Sequence, residues 1–443
     1  MRSPPRLPVM RRGELMAAGL SFLCFFCLLS TNYVLRPIRD ALGVEGGVEN
    51  YALLFSGTFV VSLALYPVLG ALASRTTRTH FAVAVFAAIA ASLVGFRLLL
   101  GADLPERLLA SAFFIWASVF NLILTSVFWG VMADVFDNEQ GRRLFGVIAA
   151  GGTAGAMAGP LLTRSIVHAV GVEGLLLVAA GMMIAALGCV VALGRAARTA
   201  GGGEIGGEVG RESAVGVGGA AAAPREPIIG GKILAGLSSV ARSRYLLAIA
   251  AFILLLTTTA TFVYFQQGWI VERELSSRAD RTAFFATIDL WTNLITVVVQ
   301  LVVMRFLVRR LGVTGLLLAL PLITGLGFAV LAIAPVLSAL AVFQVVRRTG
   351  EYGLARPARE ILFTLVSRED KFKAKNVVDV VIYRGGDAAA AWLNVGLTSA
   401  GLGVGATALC AIPLCGVWAV TSGALGRMEK RRRLAADREE RLP

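Results

Sequence analysis

RRTGEYGLARPAREILFTLVSREDKFKAKNVVDVVIYRGGD, from Arg347 to Asp387, is the stretch whose reading decides the fold. The sequence around it is apolar enough for a membrane, yet here charges of both signs fall inside two segments that must cross a bilayer. Counted from Pro335, where a new apolar segment begins, Arg347, Arg348 and Glu351 lie about ten to sixteen residues in. At about 1.5 Å per residue, that is close to the middle of a hydrocarbon core roughly 30 Å thick. A charge at that depth costs at least ~2.5–3.5 kcal/mol, so it must face a partner or a wet cavity. Adjacent arginines there mark a candidate functional site, and a salt bridge between helices is the competing explanation. Arg384 and Asp387, three residues apart, are placed to pair on one helix.

Working outward, the 443-residue chain is 57% hydrophobic and only 16% charged, with a mean hydropathy of +0.75. A soluble chain of this length carries nearer about a quarter charged residues. The apolar residues come in separate blocks of about twenty, which predicts an all-α polytopic membrane protein. The formal net charge of +14 comes from Lys and Arg at membrane edges rather than on one soluble face, so nucleic acid is not an expected partner. Cys24 and Cys27 lie inside an apolar helix, where packing is their expected role. His80 and His168 are too far apart for a metal site, and no cofactor is expected. With no soluble catalytic domain, nucleophile–base pair or metal cluster, the chain does not read as an enzyme. The apolar run from Leu15 to Leu29 is followed by STNYVLRP without a small-x-small cleavage pattern, so it reads as a retained span.

Twelve spans are predicted near 14–36, 50–74, 80–101, 108–134, 144–168, 172–194, 244–267, 282–308, 313–334, 336–362, 374–399 and 403–427. This gives two six-helix halves, 1–194 and 244–427, a Gly- and Ala-rich flexible linker over 195–243, and a basic tail over 428–443. Basic residues follow spans two, four, eight and ten and fill the linker and both ends, whereas the loops near Pro335 and Gly401 carry none. Both termini and the linker are therefore expected on the cytoplasmic side of the inner membrane.

Other candidate residues share the pattern of charge within spans. NYVLRPIRDALG (Asn32–Gly43) puts Arg36, Arg39 and Asp40 at the outer edge of span one, where interfacial snorkelling is an equal alternative. YVLRPIRDAL in span one and YGLARPAREIL in span ten share a Tyr…Arg-Pro-x-Arg-acid order, which adds Tyr352 and Arg356 to the candidates. Asp137 and Glu139 follow span four. In GGTAGAMAGP, Gly151, Gly155 and Gly159 recur every fourth residue, a spacing that suits close helix packing more than a phosphate-cradling loop. Span seven ends in TFVYFQQ with Gln266 and Gln267; span eight carries Asp289 and Asn293 on one face.

GALASRTTR (Gly70–Arg78) resembles the loop motif G-x-L-a-D-R-x-G-R of the major facilitator superfamily, with Ser74 in the acidic place. The chain as a whole resembles the nucleotide transporter family of non-mitochondrial ADP/ATP antiporters, in its shorter bacterial members. NYVLRPIRDALG, VFWGVMADVFDNEQGRRLFGVIAAGGTAGAMAGP, TFVYFQQ, AFFATIDLWTNL and the opening stretch carry the resemblance, which spans nearly all twelve crossings. It implies a facilitator-like fold and nucleotide exchange across the membrane; a monomer is expected. It also places the family's basic group on Arg39 beside Asp40 and its acidic group on Glu139. The family's glutamate in span seven has no acidic match, since Tyr264, Phe265, Gln266 and Gln267 stand there, and Glu351 stands where a lysine is expected.

Three readings follow. One is a secondary transporter of an anionic metabolite, a nucleotide above all. Another is a proton-coupled carrier of a different anion, with Asp289 as proton acceptor. The last is a membrane sensor or scaffold that keeps the fold, in which every intramembrane arginine is tied to a structural carboxylate. Under the first, Arg347, Arg348 and Arg384 line a polar cavity. For topology, a reporter fused after Ala220 is expected to read as cytoplasmic, and an extracytoplasmic signal there would overturn the span count.

Overall fold

The computed structural model describes residues 12–73, 75–102, 104–200, 233–366, 374–375 and 377–439, and among these residues there is no β-strand. This is the expected outcome for a chain that must satisfy its backbone polar groups without water. The helices are α1 (Arg12–Glu45), α2 (Tyr51–Ala73), α3 (Arg78–Leu100), α4 (Glu106–Val135), α5 (Asn138–Ala200), α6 (Ile233–Arg242) and α7 (Arg244–Glu274). They continue with α8 (Arg278–Val298), α9 (Met304–Ile333), α10 (Leu337–Gly350), α11 (Arg356–Thr364), α12 (Tyr383–Ser399) and α13 (Val404–Glu439).

Among the described residues, eight helical stretches are long and apolar enough to cross a membrane. Two of them, Glu139–Ala196 and Arg278–Ile333, are 58 and 56 residues long, too long for one crossing. Each is broken by a glycine in the left-handed region, Gly171 at φ 69° and Gly312 at φ 62°, a conformation that other residues adopt only with strain. Both breaks fall in the gaps predicted between successive spans. Together with the charge-bearing segments over 337–364 and 377–399, the described residues thus hold the expected twelve crossings.

Three short π-helical turns interrupt the later helices, at Val299–Val303, Glu351–Ala355 and Val377–Ile382. The middle one has a local cause. Pro357 has no N–H to offer the carbonyl four residues back, and a widened turn just before it accommodates its ring. The Arg356 N–H accordingly bonds to the Glu351 carbonyl, five residues back. The first two π turns touch: Gln300 Nε2 donates to the Tyr352 carbonyl at 3.3 Å.

Residues 201–232, the centre of the expected linker, lie outside the described residues; α6 falls within the same segment. The basic tail continues α13 as helix to Glu439, and Arg432 lies 4.4 Å from the Tyr245 ring centroid at the start of α7.

The chain divides into two compact units, one of Met1–Arg36, Leu72–Ala102 and Phe120–Glu226, the other of Pro37–Ala71, Asp103–Val119 and Pro227–Pro443. In the first unit, α1 and α5 pack through the glycine series. A Cβ at Gly155 would stand 2.3 Å from the Phe26 carbonyl oxygen, and one at Gly159 would stand 2.7 Å from that of Ser30. Ser30 Oγ donates to the Gly155 carbonyl at 3.3 Å. The spacing therefore serves close backbone approach, as expected. In the second unit, an apolar core around Tyr245, Phe252, Leu317, Phe363 and Trp418 joins α7, α9, α11 and α13.

Gly155→Val should force α1 and α5 apart and cost on the order of 1–3 kcal/mol or more. Gly181→Val, where a Cβ meets nothing within 4 Å, should leave the unfolding temperature unchanged. Equal thermal stability of the two variants in detergent would contradict the packing.

Candidate functional site

The charges that the sequence places deepest in the membrane gather in the second unit on α8, α10, the π turn after α10, and α12, with neutral polar side chains of α7 beside them. The face of α8 carrying Asp289, Thr292, Asn293 and Thr296 is buried, as is the Gln344, Arg347 and Arg348 face of α10. Two helices with such faces bury them against each other because lipid offers no partner.

Arg348 is the centre of this arrangement. Its Nη1 donates to Asp289 Oδ1 at 2.8 Å and its Nη2 to Gln267 Oε1 at 3.4 Å. Gln344, one turn earlier on α10, donates to the same Gln267 oxygen at 2.5 Å. The Arg348 and Asp289 side chains are only 5% and 2% exposed, so this is a fully desolvated pair tying three helices together. Its neighbour is held differently. Arg347 Nη1 meets Glu351 Oε2 at 3.3 Å, four residues along the same segment. Arg347 Nε is buried with no hydrogen-bond partner among the described residues.

On α8 and α10, Thr292 Oγ1, Thr296 Oγ1, Gln344 Oε1 and Thr349 Oγ1 are likewise buried with no hydrogen-bond partner among the described residues. Buried polar atoms are nearly always paired in proteins, so such a set on two packed helices requires an explanation.

On α12, Arg384 Nη1 lies 3.6 Å from Asp387 Oδ2, and Thr261 Oγ1 of α7 donates to Asp387 Oδ1 at 3.3 Å. Arg39 donates to Asp40 Oδ1 through Nε at 2.9 Å and Nη2 at 2.7 Å, and Tyr264 O–H donates to the same oxygen at 2.9 Å.

The sequence expectations fare unevenly. Gln267, Asp289, Arg347, Arg348 and Glu351 come together, with Asn293 one turn from Asp289. Arg384 and Asp387 pair as their spacing predicts. Gln266 turns elsewhere, donating to Thr407 Oγ1 and the Val404 carbonyl at 2.9 Å each, and so anchors α7 to α13. The Arg356 guanidinium lies 5.1 Å from the centroid of the half-buried Tyr352 ring. Arg36 is half-buried on α1, and Glu139 is exposed in the first unit, where its N–H bonds to Asp137 Oδ1 at 2.9 Å. Each of Arg39, Arg347, Arg348 and Arg384 has a carboxylate partner, the arrangement that the sequence offered as the competing explanation.

Three participants escaped the sequence reading: Gln344, Thr261 and the hydroxyl of Tyr264. Gln344 carries a signal, as a lone amide in an apolar run one turn before Arg348. Glu14 escaped as well; at the basic-loop end of the first unit it accepts from Gln140 at 3.1 Å and Arg143 at 3.3 Å.

The family model of the Major Facilitator Superfamily matches residues 15–357. The chain belongs to that superfamily. Solved structures agree on the facilitator fold. A bacterial homologue of the iron transporter ferroportin, in an inward-facing state, is 12% identical with a TM-score of 0.63, over 93% of this chain and 98% of that one. A POT family transporter bound to 5-aminolevulinic acid is 14% identical with a TM-score of 0.60, over 94% and 96%. The nucleoside transporter NupG is 14% identical with a TM-score of 0.57, over 95% and 99%. No curated protein sequence matches the chain. The protein is thus a multi-pass membrane transporter of the facilitator type and not an enzyme.

The two adjacent facilitator arginines should separate by stability. Arg348→Ala leaves a buried aspartate uncompensated and should cost about 3–5 kcal/mol, most of it recovered in Arg348→Met/Asp289→Leu. Arg347→Ala breaks only a pair within its own segment and should cost much less. Thermal unfolding in nanodiscs measures both, and equal losses would refute the division.

Proposed function

We propose that this protein is a secondary transporter that exchanges nucleotides across the membrane, with Arg347 as the contact to a phosphate oxygen. The observation that carries this reading is the incomplete pairing of Arg347. A guanidinium presents a planar fork suited to two oxygens, and here one nitrogen meets a carboxylate while Nε is buried with no partner among the described residues. Arg347, Arg348 and Arg384 are balanced by Glu351, Asp289 and Asp387. An anionic solute therefore binds by taking the place of a carboxylate. Glu351 is the one to yield: its bond is long, it lies in a π turn, and it is the most exposed of the three. The hydroxyls of Thr292, Thr296 and Thr349 add neutral donors on the same two helices, suited to the remaining oxygens or a ribose.

The scaffold reading draws on the same list of pairs, since every arginine named above has a carboxylate. Two of those pairs run along one segment, Arg384–Asp387 at 3.6 Å with Thr261 of α7 also on Asp387, and Arg347–Glu351 at 3.3 Å with no second helix joined among the described residues. A scaffold has no use for charges buried in that way, so transport explains them better. Exchange, rather than proton coupling through Asp289, fits the short bond that already occupies that carboxylate.

Uptake into proteoliposomes tests the reading, with thermal shift against nucleoside mono-, di- and triphosphates as the binding measure. Internal nucleotide should accelerate uptake of external nucleotide, and an imposed proton gradient should not. Arg347→Ala should weaken nucleotide binding at least tenfold, about 1.4 kcal/mol, and Arg347→Lys should recover part of it. Transport of an uncharged nucleoside in preference to its phosphates, or wild-type affinity in Arg347→Ala, would eliminate the phosphate contact.

A further inference from the structure

Within the second unit, the ends of α1, α2 and α4 away from the basic loops interlock with α7, α8 and α12. These segments lie on opposite sides of the linker in sequence, so their contacts join distant parts of the chain. Polar contacts cross that divide. Tyr264 O–H bonds to Asp40, and Arg278 Nε meets Glu45 Oε2 at 2.7 Å while its Nη2 bonds to the second oxygen of the same carboxylate. The Trp392 indole N–H donates to Ser56 Oγ at 3.0 Å, and the Tyr51 ring packs against Gly268, where a Cβ would stand 2.8 Å from the ring hydroxyl.

Asp40 lies at the centre of an aromatic enclosure. It is 1% exposed. The Arg39 guanidinium sits 5.4 Å from the centroid of the Phe114 ring. The Tyr264 ring meets Tyr51 at 5.1 Å, Phe55 at 5.4 Å and Phe114 at 6.1 Å between centroids. Below it Ala41 and Val44 are buried against Phe262, Val263, Ile270 and Phe285.

Such an enclosure suits a closure that must also open. An ion pair in an apolar cage is near break-even, because desolvation offsets most of the attraction. If the enclosure parts, Arg39 and Asp40 regain water, and so does the Tyr51 hydroxyl, which is buried with no hydrogen-bond partner among the described residues. The aromatic contacts favour the closed form and the rehydrated polar groups favour the open one, which brings the two close enough in free energy for a cycling transporter.

We infer that Arg39, Asp40 and Tyr264, with Glu45–Arg278 beside them, form the latch that holds the outer ends of the helices closed, and that Arg39 and Asp40 are gate residues rather than substrate contacts. The inference rests on facilitator-type transport, not on the nucleotide reading.

The test reads access to a buried position and needs no substrate. Ala41→Cys, fully buried next to Asp40, is placed in the full-length chain in nanodiscs. Its maleimide labelling is followed site by site by mass spectrometry, with buried Cys24 and Cys27 of the first unit as internal controls. Tyr264→Phe, which keeps the ring and removes only the hydroxyl, and Arg278→Gln should each raise the labelling rate of the introduced thiol at least fivefold and leave Cys24 and Cys27 unchanged. Asp40→Asn, which takes away the charge that Arg39 pairs with, should do the same. Three results would overturn the latch: unchanged labelling in Tyr264→Phe and Arg278→Gln, fast labelling already in the parent, or a parallel rise at Cys24 and Cys27, which marks general loosening. If Asp40→Asn fails to fold, the first two variants decide.

Discussion

The constraint on which the rest depends is the cost of holding a guanidinium in the hydrocarbon interior. Arg348 meets that cost by binding Asp289 and Gln267 at once, which fixes α7, α8 and α10 relative to one another. An arginine there is always charged, so the structure cannot relieve it by giving up a proton. It must supply partners, and those partners then determine which helices lie side by side. Once α10 is fixed through Arg348, Arg347 must also be buried, about 100° around the same helix, with Glu351 as its carboxylate.

The π turn after α10 follows from this placement. Pro357 cannot continue the regular ladder, and the widened turn before it carries Glu351 and Tyr352. The segment holds charge at membrane depth before and within the widened turn and packs Ala355, Ala358 and Leu362 into the apolar core. Backbone irregularity inside a membrane is tolerated where protein covers it, and Gln300 covers the Tyr352 carbonyl here.

How much of this was legible in the sequence depends on the range of the interaction. The number of crossings was legible because hydropathy is local, and even the breaks at Gly171 and Gly312 fall in the predicted gaps. The packing role of Gly151, Gly155 and Gly159 was legible because four-residue spacing defines a helix face. The Arg384–Asp387 pair was legible for the same reason. The partner of Arg348 was not, since Asp289 lies 59 residues away on a helix that only the tertiary fold brings alongside. Tyr264 and Asp40, 224 residues apart, are a stronger case: the missing glutamate in span seven was visible, but not that the tyrosine nearby reaches back to a carboxylate of span one.

That difference in range bears on how intramembrane charges are counted. Along the sequence, adjacent arginines at membrane depth suggest an anion site and a salt bridge between helices equally well. The structure adds geometry to that choice. Arg348–Asp289 is a brace between helices, whereas Arg347–Glu351 is a long contact within one segment. Removing either pair would leave the net charge unchanged, but only loss of the first would take apart the helix arrangement. A buried arginine is therefore weak grounds for a ligand when its carboxylate comes from another helix, because packing already accounts for it. It is stronger grounds when, among the described residues, its one carboxylate is four residues away and one of its nitrogens has no hydrogen-bond partner, as with Arg347. By that criterion the neighbouring residues Arg347 and Arg348, identical in type and depth, belong to different parts of the machine.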